Sequence, residues 1–271
     1  MKKLFAFALA ATTLVGFSAC SNEDNLNDAN KGFINLKVNV DDAVLTRATA
    51  TAAEWYAYVT DGSDYLWGVE GTKWIIGSEH DGKTLNTKPF TAGTYTVSVS
   101  NFQSLEAALA ADAPYGKAYY EANGVNVVVK AGETASPTIE CGKAKNAQLT
   151  VSTDGFAGSA LSVEITTAQS RSMTFTWSKV ENVESWNHSE AFFNPAEVLN
   201  YTITYSINTY TNKTATGTIT LGAAGTRKNL KIASNDQGNI VLTITYDDEF
   251  TYDSNEDETT ITIDGASGNP V

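Results

Sequence analysis

Tyr201-Thr202-Ile203-Thr204-Tyr205-Ser206-Ile207 sets an apolar side chain at every second position, with a hydroxyl-bearing one between. A period of two is the repeat of an extended strand, whose successive side chains point to opposite faces, so this segment predicts a strand with one face in a core and the other in water. Residues 209–213 read as the turn into a partner strand at 216–221. The same rhythm recurs along the chain: Ile34, Leu36, Val38 and Val40; Tyr95, Val97 and Val99; Val125, Val127 and Val129; Leu161, Val163 and Ile165; Met173, Phe175 and Trp177. A last hairpin joins Ile240, Leu242, Ile244 and Tyr246 to Ile261 and Ile263. Only residues 104–111 have a helical pattern, with Leu105, Ala108 and Leu109 on one side and Ser104 placed as an N-cap. Many short strands divided by Gly, Asn and Asp turns predict an all-β chain of two antiparallel Greek-key β-sandwich domains in tandem, with at most one short helix. The alternation breaks at Gly142-Lys143-Ala144-Lys145-Asn146, which sets the expected domains at 33–145 and 146–265, ahead of a disordered tail at 266–271.

The N-terminus carries a different message. Lys2 and Lys3 precede an apolar run from Leu4 to Phe17 that ends in Ser18-Ala19-Cys20, the layout of a secretory signal over 1–19. A cysteine directly after the small residues marks the lipoprotein version, in which the Cys20 thiol receives a diacylglyceryl group and becomes the new N-terminus. Two or more acyl chains, at about 0.8 kcal/mol per buried methylene, give lasting attachment. The other reading is an ordinary secreted protein whose cysteine falls at the cleavage site by chance. Ser21-Asn22-Glu23-Asp24 resembles the acidic tract of Bacteroidetes lipoproteins exported to the outer face of the outer membrane; the plainer alternative is a solvated linker. Residues 20–32 form the expected acidic tether, whose twelve residues between Cys20 and Phe33 reach roughly 40 Å when extended.

Charge narrows the partners. The chain holds 18 Lys and Arg against 31 Asp and Glu, a formal net charge of −13; losing Lys2 and Lys3 leaves 16 against 31, or −15. Such a surface is repelled by phosphates, which excludes nucleic acid as the expected partner. With Cys20 lipidated, Cys141 has no cysteine to pair with. It lies in phase with Ile139 and reads as a buried small hydrophobe.

Catalytic signatures are sparse. His80 and His188 lie far apart in polar turns, and the chain has no HExxH, no CxxC and no Gly-x-Ser-x-Gly elbow, so no catalytic residue, metal site or cofactor is expected. The acidic run Asp247-Asp248-Glu249 and 253–258 offers oxygen ligands for calcium but lacks the EF-hand order and its glycine; a solvated loop is the other reading. Aromatic rings offer a handle for ligand. Trp67 and Trp74 flank the turn 68–72, where rings can stack on sugar faces or pack into a core. Trp186 lies with Phe192 and Phe193 in 181–198, read as a long loop that either recognises a ligand or closes one end of the second sandwich.

Several segments carry a resemblance: Phe90-Thr91-Ala92-Gly93-Thr94-Tyr95, Pro114-Tyr115-Gly116-Lys117-Ala118-Tyr119-Tyr120-Glu121, Val129-Lys130-Ala131-Gly132-Glu133, the tetrapeptide Leu45-Thr46-Arg47-Ala48 and the terminal hairpin ending at Asp264. Together they resemble a Bacteroidales lipoprotein family known as domain of unknown function 4493. In overall plan that family is similar to the fimbrillins and fimbrial anchor lipoproteins of the same bacteria. That likeness implies an outer-membrane lipoprotein facing the extracellular side, non-catalytic, working in adhesion or as a fimbria-like subunit, with other such subunits as partners. It also implies a role for Arg47, since in fimbrillin-type subunits an arginine-directed protease removes the first strand and a neighbour fills the groove by strand addition. As an ordinary loop residue Arg47 would have no such role. The alternative function is a surface glycan-binding lipoprotein of a polysaccharide-uptake system, with Trp67, Trp74 and Trp186 as its contacts.

Overall fold

The computed structural model of the chain describes residues 29–40, 55–69, 71–234, 240–247 and 259–263. These fall into two compact units: one runs up to Gln103 and again from Tyr120 to Lys143, and the other comprises Ser104–Tyr119 and the chain from Ala144 onward. The all-β sandwich expectation holds. Both units are built from strands, and the one α-helix among the described residues is a single short one.

In the first unit, β1 (Lys31–Ile34) and β2 (Lys37–Asn39) precede β3 (Tyr56–Thr60), β4 (Tyr65–Trp67), β5 (Trp74–Ile75), β6 (Phe90–Thr91) and β7 (Gly93–Ser100). After these come β8 (Glu121–Val129), β9 (Thr134–Ala135) and β10 (Thr138–Glu140). One sheet has the order β4-β3-β7-β8, with β5 also on β3. Its buried row, Ala57 and Val59 beside Val97, Val99 and Val127, follows directly from the alternation in the sequence. The remaining strands form the order β6-β1-β9 and the pair β10-β2. Here the pairing departs from a purely antiparallel plan, because β1 with β9 and β2 with β10 run parallel. Phe90 meets Tyr95 edge-on at 5.4 Å between ring centres. The Tyr95 hydroxyl donates to the Thr91 carbonyl at 2.6 Å, and burial, with the Asp61 charge second, raises its pKa.

A charge lies inside this unit. Lys73 is 6% exposed, and its ammonium donates to Ser100 Oγ at 3.0 Å and to Glu121 Oε1 at 2.6 Å. The ammonium also lies over the Tyr58 ring, 6.0 Å from its centre. The Gln103 amide holds the lysine's backbone, accepting from its N–H and donating to its carbonyl. A buried ammonium is tolerated only when paired in this way.

The second unit opens with α1 (Leu105–Ala110), capped by Ser104, whose hydroxyl accepts from Ala107 N–H at 3.2 Å as the sequence pattern predicts. Its strands are β11 (Ala147–Thr153), β12 (Ala160–Thr167), β13 (Ser172–Val180), β14 (Val183–Trp186) and β15 (Glu190–Phe193), then β16 (Val198–Ile207), β17 (Tyr210–Thr220), β18 (Arg227–Ser234), β19 (Ile240–Asp247) and β20 (Thr259–Ile263). Two five-stranded sheets, β15-β11-β18-β19-β20 and β14-β13-β12-β16-β17, make a sandwich. Its core gathers Leu149, Phe175, Phe193, Ile203, Tyr205 and Ile232 from both. Residues 104–119, read from the sequence as part of the first domain, group with this unit because Tyr115 enters its core. The Tyr115 hydroxyl donates to the Thr174 carbonyl at 2.7 Å, and its ring packs edge-on against Phe175. The buried Asn146 amide fixes the following residues by donating to Lys117 O and accepting from Tyr119 N–H.

Two sequence expectations are corrected here. The segment 181–198 is not one long loop, since it contains β14 and β15. Glu181 and Asn182, at φ 50° and 67°, make the two-residue turn from β13 to β14, a turn whose backbone matches the twist of the flanking strands. The hairpin after Ile207 also turns earlier than 209–213, with Asn208 at φ 52° and β17 already begun at Tyr210.

Replacing Glu121 with Ala leaves the Lys73 charge enclosed without its carboxylate. Urea denaturation should show a loss of roughly 2–3 kcal/mol, below the 3–5 kcal/mol of a fully enclosed pair because the Glu121 side chain is 24% exposed.

Candidate functional site

The first 10 or so described residues occupy a seat made by the rest of their unit. Ile34 and Leu36 turn inward and are buried, with Leu85, Phe90, Ile139 and Cys141 also buried in this unit. The backbone is held along its length. Phe33 N–H donates to Glu133 O at 2.9 Å, Asn35 N–H to Ala135 O at 2.8 Å and Lys37 N–H to Pro137 O at 3.0 Å. In return Gly132 N–H reaches Lys31 O at 2.8 Å, and Cys141 N–H reaches Asn39 O at 2.9 Å. On the other edge Ala92 N–H donates to Asn30 O at 2.8 Å. Most of this binding is main-chain, so it specifies a strand with apolar residues at alternate positions and little else. Burying one aliphatic side chain is worth about 1.5–3 kcal/mol, so the two together hold the segment by several kcal/mol.

Gly32 fixes how closely the segment can approach. A Cβ there would lie 2.2 Å from Lys130 O and 2.6 Å from Glu133 O, both backbone atoms that cannot swing aside. Reading the sequence as strands located β1 and β2 but not their neighbours. The signals available for the seat were Gly32, where one backbone closely approaches another, and Gly132, whose φ of 74° makes the turn between β8 and β9.

The aromatic candidates are placed differently from a stacking platform. Trp67 is 0% exposed and presents no face to a ligand. Trp74 is half-buried, and His80 packs against both rings, at 4.2 Å from Trp74 and edge-on to Trp67 at 5.6 Å. Gly68, at φ 79°, lets this hairpin close, because a Cβ there would meet Trp74 Cδ1 at 2.9 Å. Trp186, in the second unit, is half-buried, packs against the core and pairs across strands with Trp177. Beside it Glu184 accepts hydrogen bonds from Thr153 Oγ1 at 2.9 Å, Lys179 Nζ at 3.2 Å and Trp177 Nε1 at 3.4 Å. The Thr153 hydroxyl chiefly, with Lys179 and Trp177 after it, holds this carboxyl below the usual glutamate range.

His188 stacks on Tyr115 at 3.7 Å and serves packing. Cys141 is buried as a thiol, in phase with Ile139. Cys20, Arg47 and residues 248–258 of the acidic run lie outside the described residues. Among the described residues no cluster of three or more His, Cys, Asp or Glu side chains could hold a metal, and no helix is long and apolar enough to cross a membrane.

The family model for Domain of unknown function (DUF4493) matches residues 30–265, and the chain belongs to that family. No curated protein matches the sequence. Among solved structures it is similar to a candidate cell adhesion protein from Bacteroides ovatus, at 12% identity and a TM-score of 0.47, covering 81% of this chain and 98% of that one. It is also similar to a fimbrial protein from Bacteroides ovatus, at 9% identity and a TM-score of 0.34, covering 79% of this chain and 52% of that one. A C-terminal fragment of the pilus adhesin SpaC from Lactobacillus rhamnosus gives 11% identity and a TM-score of 0.29, covering 88% and 94%. At TM-scores below 0.5 these likenesses leave fold and function to be argued from this chain's own residues.

Gly32→Val should displace the first segment from its seat and cost at least ~1–3 kcal/mol, the usual range for overpacking, read as a lower urea midpoint. Glu184 gives a pH signature. Its folded pKa lies below its unfolded one, so its contribution is complete above the ordinary glutamate pKa and is lost as pH falls through the lower folded value. Tryptophan fluorescence should therefore hold steady through the ordinary glutamate range and change below it, and Glu184→Gln should remove that transition.

Proposed function

We propose that the chain is a non-catalytic cell-surface lipoprotein, anchored in the outer membrane through Cys20, that works in adhesion as a fimbria-like subunit. The observation that carries this reading is the seat of residues 31–39. They are held largely by backbone hydrogen bonds to 132–141 and by two inward aliphatic side chains, so a strand from another subunit with the same alternation would fit the same place. Arg47 falls between β2, which ends at Asn39, and β3, which begins at Tyr56. Cleavage after it would release the lipid together with the first strand and leave the seat open.

The glycan-binding alternative requires ring faces in solvent, and the burial of Trp67 removes one of its three contacts. Trp74 and Trp186, both half-buried, would have to carry it.

Recovering the protein from the cell surface and sequencing its N-terminus tests the proposal. A population beginning at Ala48, accompanied by a ladder of polymers, is the expected result. A protein that always begins at Cys20 and never forms polymers would defeat the assignment.

A further inference from the structure

Among the described residues the second unit has a long open edge. Among the described strands β17 pairs with β16 alone, and at 11 residues it contrasts with the four-residue edge strands β14 and β15. Natural sheets blunt long edges with charge, proline or bulges, because unpaired N–H and C=O groups recruit other strands. From Thr214 to Thr220 this strand reads Thr-Ala-Thr-Gly-Thr-Ile-Thr, with no charge, no proline and no bulge in its pairing with β16 over that span.

The direction of its free groups follows from one bond. Leu221 N–H donates inward to Glu197 O at 2.9 Å. Backbone groups alternate sides along an antiparallel strand, so those of Ile219, Gly217 and Ala215 also face β16, and those of Thr214, Thr216, Thr218 and Thr220 face the open edge. All four threonines are exposed.

We infer that this edge joins the β17 edge of a second copy of the same chain, antiparallel and two-fold about Gly217, continuing the sheet from one subunit to the next. Self-complementarity argues for that occupant. About Gly217 the register sets Thr216 against Thr218 of the second copy and Thr214 against Thr220, each pair exchanging two N–H···O bonds, so every outward group in the run is satisfied at once. The close, non-hydrogen-bonded position at the centre, where Cα atoms approach to about 4.5 Å, is filled by two glycines. Gly217 has its inner side covered by its own subunit, since a Cβ there would meet Tyr201 Oη at 2.3 Å. Charge agrees as well. In a chain of net charge −13, two copies repel over most of their surface, and this run brings no carboxylate against another.

The pairing needs no cleavage at Arg47 and goes beyond the strand-exchange reading. Sedimentation equilibrium of the purified, uncut full chain tests it separately, and the expected result is a monomer–dimer equilibrium. Thr216→Lys with Thr218→Lys sets like charges opposite each other and should raise the dissociation constant at least ~tenfold, while Thr216→Lys with Thr218→Glu should recover most of that loss. Thr216→Pro removes one outward N–H and should weaken the dimer likewise, with the melting temperature of each variant confirming its fold. A chain that stays monomeric at every concentration, including one that takes up a heterologous extended peptide at this edge instead, overturns the inference. So does a dimer that ignores the two lysines.

Discussion

The first unit depends on the main-chain ladder between residues 31–39 and 132–141. About a hundred residues separate the partners, so the ladder closes the unit from its two ends in sequence. Without it β9 and β10 lose a parallel neighbour, and the positions of Ile34 and Leu36 become a groove with an apolar floor. Closing so long a loop costs conformational entropy, but that cost grows only slowly with length, and the apolar burial of the strand offsets it.

The second unit repeats this plan with different strands. Its first strand, β11, pairs antiparallel with β15 on one side and parallel with β18 on the other, as β1 pairs antiparallel with β6 and parallel with β9. The two differ in how firmly the opening strand is fixed. β11 is seven residues long, pairs with β18 through six of them from Gln148 to Thr153, and buries Leu149 and Val151 in a core shared by both sheets. The first unit divides the same task between two short strands with Leu36 lying between them. A release mechanism would act on the weaker of the two closures, and Arg47 follows that one in sequence.

Much of this was legible in the sequence, and what escaped has physical causes. Alternation located β7, β12, β13 and β16, because each has one face in a core and one in water. Ser104 announced α1 through its capping oxygen. Alternation reports faces and not neighbours, so nothing in Ile34, Leu36 and Val38 said that their strand would run parallel to 134–140. The strands within 181–198 were hidden by their length, since four residues hold too little periodicity to distinguish from a loop. Trp67 misled for another reason: a tryptophan beside a turn suits a ligand platform and a core plug equally, and here the ring lies under its hairpin against His80. At the candidate site the sequence offered the strand and the arginine after it, while the seat became visible only once distant residues were placed side by side.

The proposed function requires residues 31–39 to be a separable, exchangeable element. The most direct measurement is the thermal melting of a chain beginning at Ala48, alone and with a synthetic peptide of residues 30–40. The expected result is a chain that melts well below the intact protein and is restored by the peptide, with no restoration when Leu36 in the peptide is replaced by Asp. A truncated chain that melts like the intact one, or that the peptide leaves unchanged, would contradict it.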